Sequence, residues 1–128
     1  MNIRTPILML VFAVSFLLLL AHTIAINTNL YWTTSWADIV THTLGGVLVG
    51  GIVAYLFTFS KKQIPSLCSI LCISFGVGIL WEVFELVFQL TSFADQGYIL
   101  DTLGDLFCDF FGSLITYYIL DRYIYERK

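Results

Sequence analysis

A chain of 128 residues that is 59% apolar, 16% aromatic and only 12% charged cannot cover a water-facing surface; soluble domains carry roughly 45–50% apolar and about 25% charged residues. A formal net charge of −3 and a mean hydropathy of +0.88 exclude a nucleic-acid binder and a disordered chain. Three cysteines without a repeating pattern do not make a disulfide scaffold.

What remains is an all-α integral membrane protein. A helix crossing about 30 Å of hydrocarbon needs about 20 mostly apolar residues, and four stretches reach that length. The first covers residues 6–26, opens at Pro6 and holds no charge. Its alternative reading is a cleaved signal peptide with Arg4 as the charged region and Ala21–Ala25 near the cut, although the apolar run is longer than a usual signal core. The second covers 37–59 and starts at Asp38; the third covers 66–90, follows Pro65 and holds Glu82 and Glu85; the fourth covers 101–123 and starts at Asp101. Proline is best tolerated at such helix starts. Runs such as Phe16-Leu17-Leu18-Leu19-Leu20 fit helices better than alternating barrel strands. The expected fold is a four-transmembrane-helix bundle forming one membrane domain over 1–128.

Orientation follows from the six basic residues. Arg4 precedes the first span, Lys61 and Lys62 join the second to the third, and Arg122, Arg127 and Lys128 follow the fourth. The loops over 27–36 and 91–100 contain none, so the positive-inside rule places both termini in the cytoplasm and the chain in the cell membrane. Tyr31, Trp32, Trp36 and Tyr98 then fall at the outer interface, with Tyr123 and Tyr125 at the inner one.

The carboxylates other than Asp121 and Glu126 all lie outward. At about 1.5 Å per residue, His42 and Asp105 are expected about 6 Å below their helix starts and Asp109 about 12 Å below. Glu85 and Glu82 are expected roughly 8–12 Å from the outer end of theirs. Residues three or four apart share a helix face. This gives the stripes Asp38-His42-Gly46-Gly50, Gly78-Glu82-Glu85-Gln89 and Asp101-Asp105-Asp109-Gly112 on three successive spans. Gly46 and Gly50 form a GxxxG match, a face on which helices approach closely, here or in a homo-oligomer.

An ionised residue at the bilayer centre costs about 2.5–3.5 kcal/mol on insertion scales, and Glu82, Glu85, Asp105 and Asp109 have no Lys or Arg at their depth. Such a group holds protons, binds a cation, lines a wet cavity, or serves only to bond neighbouring helices. Asp38 and Asp101 are also expected as helix N-caps. His22 is expected to hydrogen-bond at the interface, and Cys68, Cys72 and Cys108 to pack.

Three segments together resemble the VanZ-like family and the related YjdF-type small membrane proteins. They are Asp38-Ile39-Val40-Thr41-His42 with Gly45-Gly46, Trp81-Glu82-Val83-Phe84-Glu85 with Gln89, and Asp101 through Asp109 with Gly112. The likeness covers residues 36–120. VanZ-like proteins usually carry Asn where this chain has Asp109, and the paired Glu82 and Glu85 are closer to the YjdF side. The resemblance implies a multi-pass topology with a polar centre at the cell envelope.

The residues themselves support three readings. In the first, His42, Glu85 and Asp105 hold Mg²⁺, Mn²⁺ or Zn²⁺ and Glu82 or Asp109 is the general base. The protein is then a metal-dependent hydrolase or transferase acting on a lipid or lipid-linked cell-wall precursor at the outer leaflet. No HExxH, nucleophile elbow, CxxC pair or Gly-rich phosphate loop accompanies these residues. In the second, the acids take protons or a cationic ligand without catalysis, or serve transport; the inner half, built of Leu, Ile, Val, Phe and Cys, supplies no continuous path. In the third, the acids join helices in a structural or partner protein.

Overall fold

The computed structural model describes residues 3–60 and 65–125. Lys61, Lys62, Glu126, Arg127 and Lys128, which carry part of the orientation argument, lie outside the described residues, as do the side chains of Tyr123 and Tyr125. The described residues contain no strand, and four helices are long and apolar enough to cross a membrane.

The first helix, α1 (Arg4–Asn27), satisfies several of its polar side chains internally. Ser15, Thr23 and Asn27 each donate to the carbonyl four residues back, at 2.8, 2.7 and 2.8 Å. Hydrocarbon offers no competing partner, so this back-bonding keeps such residues compatible with a span. Only Ile7, Val14 and Ala25 are buried, while Phe12, Phe16 and Leu19 face outward, as suits a helix whose solvent is lipid. Asn29, at φ 57°, turns the chain into the one-turn α2 (Leu30–Thr33); Asn tolerates this left-handed conformation.

α3 (Trp36–Ser60) is central, packing against α1, α4 and α5. α4 (Leu67–Val87) is capped by Ser66, whose Oγ accepts from the Ser69 N–H at 3.1 Å. It ends before the expected residue 90. Gln89 adopts φ 57°, its N–H bonds the Leu86 carbonyl at 3.2 Å, and the Leu90 N–H bonds the Glu85 carbonyl at 2.9 Å. This is a Schellman ending with Gln where glycine usually stands, and it removes Gln89 from the helical stripe assigned to it.

α5 (Tyr98–Ile119) begins earlier than the expected Asp101, directly after Gly97 at φ 90°. Asp95 organises the preceding loop by accepting the Ser92 N–H at 2.8 Å. Asp101 and Asp38 therefore lie within the first turns of α5 and α3; Gly97, not Asp101, occupies the cap of α5. Beyond Ile119 the chain continues as a π-helical segment, Leu120–Tyr125.

The closest helix contact is between α3 and α5. A Cβ at Gly46 would overlap the Asp109 carbonyl, and one at Gly112 would overlap the Thr43 carbonyl. Across this seam Ser113 Oγ donates to the Gly46 carbonyl at 3.0 Å, while also lying 2.9 Å from the Asp109 carbonyl of its own helix, and Thr116 Oγ1 donates to the Val47 carbonyl at 2.9 Å. Hydroxyl-to-backbone bonds of this kind join helices where no hydrophobic force between them exists. Gly50 faces Thr116 in the same seam. The expectation that the Gly46/Gly50 face serves a homo-oligomer is corrected on this point: α5 of the same chain covers it.

At one end of the bundle Ile7, Ala54 and Leu120 form a fully buried apolar cluster, and Arg4 donates to the Thr58 carbonyl at 3.1 Å while lying 4.2 Å from the Phe59 ring centroid. The start of α1 and the end of α5 thus share one end, and His42, far along α3 from Thr58, lies toward the other.

Candidate functional site

The α3 stripe places Asp38 and His42 one turn apart, and the α5 stripe places Asp105 and Asp109 one turn apart. The α3–α5 seam brings the two stripes face to face. His42 Nε2 lies 3.6 Å from Asp38 Oδ1 and 3.9 Å from Asp105 Oδ1, and His42 Nδ1 lies 3.5 Å from Asp109 Oδ1. His42, Asp105, Asp109 and Glu82 are exposed by only 8, 7, 7 and 6%, so charge here is withdrawn from water.

The room for Asp109 is made by glycines. A Cβ at Gly78 on α4 would lie 2.7 Å from Asp109 Oδ2, and one at Gly45 would lie 3.6 Å from Oδ1. Asp109 is thereby wedged among three helices.

A neutral imidazole has one N–H donor and one lone pair. If Asp109 takes the Nδ1 proton, the Nε2 lone pair faces two carboxylate oxygens with no hydrogen between them. That arrangement is repulsive until a second proton or a cation occupies the gap. The separations exceed ordinary hydrogen-bond lengths and approach the spacing of ligands around a tetrahedral cation, about 3.3 Å for bonds of about 2.0 Å. Asp38, His42 and Asp105 each offer a ligand atom, all within 4.8 Å of one another. A carboxylate on the second nitrogen of a ligating histidine is the usual companion of such a site.

Glu82 reaches the same space from α4. Thr102 Oγ1 on α5 donates to its Oε2 at 2.8 Å, while Oε1 is buried and has no hydrogen-bond partner among the described residues. Its charge neighbours are His42, Asp109 and Asp101. Glu85 stands apart from the Asp38–His42–Asp105 group; its Oε1 accepts the Trp81 indole N–H at 2.9 Å, and it is half-buried. Because α4 stops at Val87, Glu85 lies only about 3 Å below the helix end. That places it at the mouth, not in the layer of His42.

At that mouth Tyr31 on α2 is bonded through its hydroxyl to His22 Nδ1 at 2.7 Å. Burial, reinforced by the negative Asp38 and Glu85, pushes the Tyr31 phenol above its ordinary value, against a hydrogen bond with Thr41. The Cys68 and Cys72 thiols are free and exposed, 3.8 Å apart.

Of the residues expected to form the site, His42, Asp105 and Asp109 come together, Glu82 borders them, and Glu85 does not join the three-residue group. Asp38 stands in the place given to Glu85. Its spacing of four from His42, which puts both on one stripe of α3, is the signal for it, alongside the capping role that the sequence also allows. Thr102, Trp81, Ser113 and Thr116 were missed; the last two continue the α5 stripe four residues beyond Asp109 and Gly112.

Four spanning helices enclosing a buried acid and histidine group define a multi-pass integral membrane protein. The chain belongs to the family described as "Predicted membrane protein (DUF2238)", matched over residues 1–126. No curated protein and no solved structure matches it.

Proposed function

We propose that this protein holds a divalent cation between Asp38, His42 and Asp105 and acts as a metal-dependent hydrolase or transferase on a lipid or lipid-linked cell-envelope substrate. The observation that carries this reading is the imidazole of His42 bracketed by carboxylates on both nitrogens. The donor set suits Mn²⁺ or Zn²⁺ better than Mg²⁺, because imidazole favours the softer ions. A cation so held polarises a phosphoryl or acyl oxygen and lowers the pKa of bound water.

The protein's own groups divide the remaining work. Asp109 Oδ1, 3.5 Å from His42 Nδ1, stands where it would orient the ring of a ligating histidine, which commits one of the two carboxylates expected as general base. Glu82 keeps Oε1 unengaged while Thr102 anchors Oε2, so Oε1 is the atom at which a proton or N–H of the substrate is received. Asp38 and Asp101, less buried than Asp105, open the site toward the membrane surface. The distribution of Arg and Lys argues that this surface is the outer one and that both chain ends face the cytoplasm. The likeness to VanZ-like and YjdF-type proteins agrees with an envelope substrate. The transport alternative gains no support from the opposite end, where Ile7, Ala54 and Leu120 close the bundle with apolar side chains.

Metal content tests the reading. Purified full-length protein dialysed against Mn²⁺ or Zn²⁺ is expected to retain about one equivalent, and Asp105→Asn and His42→Ala less than a tenth of that. Negligible metal in the unaltered chain, or equal metal in all three, overturns the proposal.

A further inference from the structure

The mouth of the site has more carboxyl groups than one divalent cation can engage. Asp38, Glu82, Glu85, Asp101, Asp105 and Asp109 share one neighbourhood, since Glu82 has His42, Asp109 and Asp101 as charge neighbours and Glu85 has Glu82, His42 and Asp38. No Lys or Arg occurs in 27–36 or 91–100 to offset them. Charge alone does not define a ligand. The second observation is Glu82 Oε1: an acceptor on a side chain 6% exposed, inside a membrane-spanning helix, with no partner among the described residues. A carboxylate oxygen accepts only, so what completes it must bring an N–H or O–H. Glu85, one turn further out on α4, keeps its indole partner on Oε1, and Trp81 in turn stacks on Phe84 with ring centroids 5.2 Å apart. Aromatic faces beside carboxylates attract cations.

We propose that Glu82 and Glu85 together form a subsite for a primary ammonium group of the substrate, with Trp81 and Tyr31 beside Glu85. An ammonium supplies three N–H donors: one meets Glu82 Oε1, another meets Glu85, and its charge offsets carboxylates the metal leaves unmatched. A quaternary ammonium has the charge but no N–H and leaves Glu82 Oε1 unsatisfied. The subsite rests on the metal-centre reading for the reaction it serves, though not for binding itself, and it names the substrate class of that centre: an amine-bearing head group, lipid-borne or free.

The experiment uses the full chain with Trp32→Phe and Trp36→Phe, both exposed positions, so that Trp81 alone of the three tryptophans emits. Phosphoethanolamine is expected to change Trp81 emission saturably, with phosphocholine at least tenfold weaker and glycerol phosphate inert. Glu82→Gln and Glu85→Gln each weaken the phosphoethanolamine response at least tenfold, while Glu85→Gln keeps Mn²⁺ affinity within threefold, which also shows that it folds. Thr102→Val, which leaves both carboxylates in place but frees Glu82, weakens the response should Glu82→Gln not fold. In nanodiscs, a response to phosphatidylethanolamine but not phosphatidylglycerol, without one to the free head group, assigns a lipid-borne ligand; responses to both forms assign the head group itself. No response in either setting, equal responses to phosphocholine and phosphoethanolamine, or titrations unchanged by Glu82→Gln and Glu85→Gln overturn the subsite. A phosphoethanolamine response from a chain that binds neither Mn²⁺ nor Zn²⁺ removes the metal reading alone, and the reverse result removes the subsite alone.

Discussion

The same central helix builds two unlike regions. Around Ala54, α3 meets Ile7 and Leu120 in a dry cluster with nothing to titrate. Around His42 it meets Asp105, Asp109 and Glu82, buried to nearly the same degree. The first region holds the bundle together by packing; the second withdraws charge from water and pays in stability for what it gains in chemistry. The two regions are joined by the α3–α5 seam, where glycines at 46 and 112 bring the backbones together. Without that approach the facing stripes would stand too far apart for His42 to reach both Asp105 and Asp109.

The seam therefore carries the largest expected effect. Gly112→Leu forces a side chain into the Thr43 carbonyl and must push α5 away from α3, destabilising the bundle by about 3 kcal/mol or more. Unfolding in mixed micelles followed by circular dichroism measures the loss, and metal binding should vanish with it because Asp105 and Asp109 leave His42. A Gly112→Leu protein with unaltered stability and metal affinity would separate the site from the seam.

The contrast between the two regions is sharpened by a pair of smaller substitutions. Leu120→Ala opens a cavity in the dry cluster and is expected to cost about 2 kcal/mol. That is the low end for a buried Leu, because a membrane reference state lacks the water-transfer contribution. Metal affinity should not change. Asp105→Asn acts in the opposite sense: it removes one of the carboxylates crowding His42 Nε2, so metal-free stability stays level or rises by about 1 kcal/mol, while metal binding is lost. If Asp105→Asn destabilises the metal-free protein as much as Leu120→Ala does, the acids are helix glue and the third reading of the sequence stands.

Much of this architecture is legible in the sequence, and the losses have physical causes. The spans are legible because lipid demands long apolar runs, and the facing of His42, Asp105 and Asp109 because a turn of helix returns every three to four residues. Helix ends are less so. Gln89 takes a left-handed conformation that glycine usually signals, and Asp101 reads as a cap although Gly97 precedes the helix. Those shifted ends change depth: Glu85 rises to about 3 Å from the end of α4, and Asp105 sinks to about 10 Å from the start of α5. The layer predicted to contain both thus separates them, and Asp38 takes the vacated place beside His42. Partners such as Thr102 for Glu82 are set by tertiary packing, twenty residues away in sequence, and no local pattern marks them.

The smallest expected effect concerns Tyr31, which belongs to neither region but closes the mouth of the polar one. Its hydroxyl bond to His22 at 2.7 Å is exposed, so Tyr31→Phe is expected to cost about 0.5–1 kcal/mol. Burial raises the phenol above its unfolded value, so folding favours the neutral form. Its contribution is complete below the unfolded pKa, near 10, and is lost as pH rises through the higher folded one. Absorbance titration at alkaline pH should therefore lose a late-ionising component on Tyr31→Phe. The stability gap between the two proteins should also narrow only in that alkaline range. A gap that stays constant through that alkaline range would show that the protonation state of the phenol does not carry the contact.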